Sequence, residues 1–182
     1  MNTVNTLPPQ LFFSNHDFKL LKSKFKPAQN NWIKPSGGLW TSTYTDNSSA
    51  WVDWCISENF TDPYANDWHI VYPKQNLKII EIDNYHHCEM LFEKYLSSSS
   101  LMQTGLGASL DFEKIAADGF DAIHITQQGE WATRLTRPWT LYGWDCESTS
   151  WLKWSFVRKR CIKKNKFKKK FRDENYDLVF EE

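Results

Sequence analysis

The residues best suited to chemistry in this 182-residue chain lie in two short segments. In GGLWTSTYTDNSSAW (37–51) two adjacent glycines precede Trp40, hydroxyl side chains follow, and Trp51 stands eleven residues after Trp40. Glycines let a backbone approach a ligand closely, and large amphipathic rings make walls for a planar one. In DCES (145–148), Asp145 and Glu147 stand between Trp144 and Trp151. A carboxylate in such apolar company needs a partner or a task. Together the segments point to a planar-ligand site with an acid beside it.

The order of these segments along 11–156 resembles that of the ADP-ribosyltransferases of toxin and effector type. In that family a G-x-aromatic strand and an S-x-aromatic helix sandwich the nicotinamide of NAD. Trp40 and Trp51 stand where diphtheria-toxin-like and poly-ADP-ribose-polymerase-like members carry two tyrosines, with Gly38 beside the first. WTST (40–43) is similar to the aromatic-S/T-S-T strand of the arginine-type toxins, which gives Ser42 the role of steadying the catalytic glutamate. DCES matches the family's acid-x-Glu element. Glu147 then becomes the acid that stabilises an oxocarbenium-like ribosyl centre, and Asp145 the residue that reads the acceptor. The preceding RPWTLYGW (137–144) would face the acceptor through Trp139 and Tyr142. The first motif departs from the pattern. LFFSNHD (11–17) lacks the Arg or His expected at the end of the first strand, leaving Ser14 or Asn15 to touch the nicotinamide amide or the ribose, and His16 as a displaced histidine. The resemblance implies an α+β fold with a split central antiparallel or mixed sheet and short flanking helices, with NAD as co-substrate and no metal.

The elements that would position these residues are legible in outline. LFF (11–13), LWTSTYT (39–45), HIVYP (69–73), LKIIEID (77–83) and FDAIHIT (120–126) read as strands, and 134–156 as a loop entering one or two aromatic strands. HDFKLLKSKF (16–25) reads as a short helix, SSAWVDWCISENF (48–60) as a helix capped by Ser48 or Ser49, YHHCEMLFEKYL (85–96) as an amphipathic helix, and LDFEKIAAD (110–118) as a short one. SSSSLMQTGLGAS (97–109) reads as a low-complexity loop able to gate a neighbouring cleft. Strands and short helices without regular alternation favour α+β over a doubly wound fold, and neither the Rossmann nor the P-loop glycine pattern is present. The expected division is a flexible lead-in at 1–10, a single catalytic-type domain at 11–156, a basic arm at 157–172 and an acidic end at 173–182.

Charge is neutral in sum but segregated. Lys153 to Arg172 holds 11 of the 22 Lys and Arg residues and no acid, and five acids follow it. Phosphate backbones neutralise such a run, with Phe167 and Phe171 interleaved as stacking rings, so Arg158, Lys159, Arg160, Lys168 and Lys169 are read as contacts for a nucleic-acid acceptor. An acidic protein partner, such as a neutralising antitoxin, would satisfy the same charges. A noncatalytic nucleic-acid-binding protein and an NAD hydrolase with water as acceptor use the same features. His86, His87 and Cys88 point in different directions on a helix and find no second ligand pair, which sets a metal site aside. The four cysteines form no CxxC pair, no apolar run reaches membrane-spanning length, and the amino terminus carries no export signal. The expected protein is therefore cytoplasmic, with reduced thiols and no membrane association.

Overall fold

The computed structural model describes residues 1–15, 17–31, 34–97, 108–172 and 175–180, with side chains described up to residue 166. His16, most of the 97–109 loop, and the side chains of Lys168, Lys169, Phe167 and Phe171 therefore lie outside the described residues. The fold is α+β. Its centre is an eight-stranded sheet of β1 (Thr3–Val4), β2 (Gln10–Ser14), β3 (Leu39–Thr43), β4 (Asp67–Pro73), β5 (Ile79–Ile82), β6 (Ala122–Ile125), β7 (Ser148–Trp151) and β8 (Phe156–Ile162). The order across the sheet is β1-β5-β6-β7-β3-β2-β4-β8. β5 and β6 run parallel; the other neighbours are antiparallel. A parallel pair requires a crossover, and the chain between them carries α2 (Tyr85–Tyr95) and α3 (Phe112–Ala117). Two further helices, α1 (Ala50–Ser57) and α4 (Gln127–Thr133), follow β3 and β6.

Alternation along the strands divides the core between the two faces of the sheet. Ile80, Ile82, Ile123 and Ile125 pack with Leu91, Phe92, Phe112 and Ile115 under α2 and α3. Leu11, Trp68 and Ile70 meet Val52 of α1. The opposite face gathers Phe12, Leu20, Val71, Ile79, Trp151 and Phe156. Side-chain caps start the helices where the sequence places them: Ser49 accepts from the Val52 amide at 3.3 Å and Asn84 from the His87 amide at 3.0 Å, each meeting one of the orphan donors of a first turn.

The ladder is short near the centre of the sheet. β2 and β3 share only two register pairs, Gln10 with Thr43 and Leu11 with Ser42, while β2 pairs along its whole length with β4. Beyond Leu11 and Ser42 the two strands part, leaving a fork.

Three expectations are corrected. The segment at 1–10 is docked: Thr3 and Val4 pair with Ile80 and Ile79, and Val4 and Leu7 pack on the core, because these apolar side chains cover the sheet edge. Residues 17–25, the described part of the helix expected at 16–25, form no α-helix. A single 3-10 turn at Lys22–Lys24 stands between extended backbone at Leu21 and Phe25. Leu20 is buried and its carbonyl accepts from Lys159 Nζ, ties that outweigh a helix carrying closely spaced like charges. The boundary at 156/157 falls inside β8, which pairs with β4 from Trp68–Ile162 to Pro73–Phe156. The start of the basic arm is thus an edge strand, and β9 (Phe167–Arg172) pairs with β10 (Asn175–Phe180) as an antiparallel hairpin.

Candidate functional site

The cleft occupies the fork. It holds about 300 Å³ and is lined by Phe12 and Phe13 of β2, Trp40 and Thr41 of β3, Trp51 of α1, Lys34, and Trp144, Asp145, Cys146 and Ser148 leading into β7. Trp51 stacks on Phe13 at 6.0 Å with 20° between planes, and on Trp54 at 5.0 Å and 11°. Trp40 meets Trp144 edge-on at 4.6 Å. Lys34 Nζ lies 5.3 Å from the Trp40 ring centre and 3.2 Å from Asp145 Oδ2. Pockets that take small ligands run from about 300 to 1,000 Å³, so this one stands at the small end of that range.

Behind one wall lies a buried network centred on Glu147. In the antiparallel register of β3 with β7, Leu39 faces Trp151 and Thr41 faces Thr149, which sets Glu147 opposite Thr43. The ladder stops there and the glutamate side chain replaces it. Thr43 donates its amide to Oε2 at 3.0 Å and its hydroxyl to Oε1 at 2.8 Å. Ser42 Oγ donates to Oε2 at 2.6 Å and accepts from the Trp51 amide at 3.3 Å, joining the carboxylate to the first turn of α1. Gln10 links the two threonines of β3: its Nε2 donates to Thr43 Oγ1 at 3.0 Å, and its Oε1 accepts from Thr41 Oγ1 at 2.8 Å. Trp151 Nε1 donates to Thr41 Oγ1 at 2.8 Å. Cys146 and Ser148 line the cleft, and Glu147 between them turns into this network, 9% exposed.

His124 closes the cluster, its Nδ1 2.9 Å from Thr149 Oγ1 and 3.6 Å from Glu147 Oε1. Burial holds the imidazole below its usual 6.5, against the opposing pull of Glu147 and Glu81. A neutral histidine results near pH 7, and the hydrogen bonds to Glu147 come from the neutral Ser42 and Thr43 groups. Cys146 lines the cleft, but burial first, then the charges of Glu147 and Asp145, push its thiol far up. It stays protonated and is no nucleophile.

The structure brings together Trp40, Trp51, Ser42, Asp145 and Glu147 and sets the other expected residues apart. Gly38 does not face the cleft: a Cβ there would stand 2.6 Å from the Trp151 carbonyl oxygen, so its bareness serves the packing of β3 on β7. Ser14 pairs with Asp67 in the sheet, and Asn15 is exposed and offers its carbonyl to the Phe18 amide; Phe13 reaches the cleft instead. Trp139 lays its ring flat on Phe92 at 5.2 Å and 5° and stands partly buried against the core. Tyr142 stays 59% exposed, beneath Arg134 at 5.7 Å. Arg158 covers Tyr72 at 4.0 Å, Lys159 is tied to Leu20, and Arg160 is exposed. Asp145 also lines a second groove of about 470 Å³ with Glu130, Trp131 and Arg134.

Sequence reading missed Thr43, the glutamate's second hydroxyl donor, and Lys34, hidden in a turn-rich stretch. Only the register of β3 against β7 could have pointed to Thr43. Among the described residues no group of His, Cys, Asp and Glu is arranged to hold a metal ion, and no helix is long and apolar enough to cross a membrane. A scan against protein-family models, a search of curated proteins and a search of solved structures each returned no match.

Proposed function

We propose that the protein is a cytoplasmic NAD-dependent mono-ADP-ribosyltransferase of toxin or effector type that transfers ADP-ribose to a macromolecule, with nucleic acid as the favoured acceptor and protein next. The observation that carries this reading is the 2.6 Å bond from Ser42 to Glu147, set against a cleft walled by Trp40 and Trp51. Nicotinamide enters between the tryptophans. The bond from its ring nitrogen to the ribose C1′ breaks, and the electron pair leaves with neutral nicotinamide. The positive charge left on the ribose is stabilised by Glu147, whose negative charge no lysine or arginine neutralises at short range among the described residues. A carboxylate fixed in advance in a water-poor site acts most strongly on such a charge. Asp145, at the mouth, takes the proton from the acceptor as the new bond to C1′ forms. Free thiols support a reducing compartment, since Cys55, Cys88 and Cys146 are buried and unpaired.

One observation favours a noncatalytic nucleic-acid-binding protein instead: both Glu147 oxygens are occupied by internal donors. Incubation with labelled NAD and total cell lysate, followed by nuclease or protease, separates the readings. Label in nucleic acid or protein that disappears with Glu147→Gln supports the transferase. Free ADP-ribose alone indicates a hydrolase, and absence of NAD turnover refutes the NAD reading.

A further inference from the structure

We propose that a lysine-lined groove on the face of the sheet opposite the helices is a docking track for single-stranded nucleic acid. The groove holds about 480 Å³ between the chain leaving β2 and the chain entering β3, with Phe18, Lys19, Lys24, Phe25, Lys26 and Gly38 among its walls. The sequence KLLKSKFK (19–26) carries four lysines and no acid. All four are exposed, and none has an acidic partner among the described residues. Asp17 also lines the groove, and against Lys19, Lys24 and Lys26 it leaves the wall net positive. Lys159 of β8 donates to the Leu20 carbonyl, so positive charge from the far edge of the sheet meets the same segment. Lysines distant in sequence thus converge on one surface.

Two features select a single strand. Unpaired nucleotides can enter a groove that the smooth surface of a duplex would only bridge. Apolar rings also stand among the cations: Phe18 is 38% exposed, and Phe25 lies edge-on to Trp154 at 5.8 Å. Cations for the backbone interleaved with rings for the bases are the means by which single strands are held without sequence preference. The groove deepens the macromolecular-acceptor reading by giving the acceptor a track to lie in, yet it stands without NAD chemistry and is tested without NAD.

The test is fluorescence anisotropy of a labelled 12-nucleotide RNA with the full chain across a salt series, comparing wild type with the triple variant Lys19→Gln, Lys24→Gln, Lys26→Gln. Each phosphate contact on a single strand contributes about 0.7 to the slope of log affinity against log salt, so losing three flattens it by about 2. From 50 to 200 mM salt the variant should lose about 20-fold less affinity than wild type. The corresponding triple arginine variant should keep the wild-type slope. These lysines are exposed, and circular dichroism checks that the variants stay folded. An unchanged slope in the glutamine variant overturns the proposal. So does equal competition by polyglutamate of the same charge, which would make the groove a site for an acidic protein.

Discussion

Replacing Glu147 with alanine and with glutamine separates what its shape does from what its charge does. Alanine leaves the Thr43 amide facing a void. A buried orphan donor costs about 1–3 kcal/mol, and each lost bond to a charged acceptor about 1.5–3 kcal/mol before relaxation. The Ser42 and Thr43 hydroxyls can turn toward other acceptors, so the expected total is about 3 kcal/mol. For a chain of this size that lowers Tm by about 6–12 °C. Glutamine keeps one oxygen at the Oε2 position, where it still accepts from Ser42 and the Thr43 amide, and its amide nitrogen donates to Thr43 Oγ1. The expected cost is under about 1 kcal/mol. Thermal and urea unfolding followed by circular dichroism measures both. If alanine costs under 1 kcal/mol, or glutamine costs as much as alanine, the network described around Glu147 is wrong.

Acidification and a bare turn supply two further predictions. Burial holds His124 and His69 below their ordinary value. For His69 the Asp67 charge opposes this, while Lys163 and Lys159 reinforce it. Each native state resists a proton that the unfolded chain accepts, so stability is full above about pH 6.5 and falls as pH drops below it. Urea midpoints from pH 8 to 5 should show the fall, and His124→Asn should reduce it; a flat profile refutes the assignment. Gly38→Ala should cost about 2–4 kcal/mol, combining strain at φ +65° with a clash against the Trp151 carbonyl. Gly119→Ala, whose Cβ would meet only Lys78 Nζ at 4.0 Å, should cost the strain alone; equal losses in urea unfolding would mean that the Gly38 contact is unimportant.

Local chemistry in the sequence was enough for much of the fold. The Ser49 cap announced α1, and the apolar runs of β4, β5 and β6 fell where β-branched residues cluster. The failures share a cause: contacts from far along the chain. Nothing local to 16–25 reveals that Leu20 will be buried and held by Lys159, 139 residues away, so an amphipathic pattern reads as a helix that never forms. Trp139 lies in a loop-like sequence, and only its packing on Phe92, distant in sequence, sets it partly buried against the core. WTST and DCES, 105 residues apart from Ser42 to Glu147, meet at one cleft. They could not show that the carboxylate facing the cleft is Asp145 while Glu147 sits behind the wall, because that depends on where the β3–β7 ladder stops.

The position of Glu147 carries a physical argument of its own. Its donors are two hydroxyls and one amide, with the His124 ring 3.6 Å away, and a glutamine could satisfy the Oε2 pair without bringing a charge into a buried site. Desolvating a carboxylate is costly, and no short ion pair to lysine or arginine offsets that cost among the described residues. If stability were the only demand, the amide would serve as well or better. A charge fixed by neutral donors keeps its field, and the nearest space where that field can act on a ligand is the tryptophan-walled cleft one residue away on either side. A glutamine variant more stable than the wild type yet inert toward NAD would show stability given up for function. A glutamine variant that is as stable and equally able to turn over NAD would strip Glu147 of any catalytic part and leave Asp145 as the acid that serves the cleft.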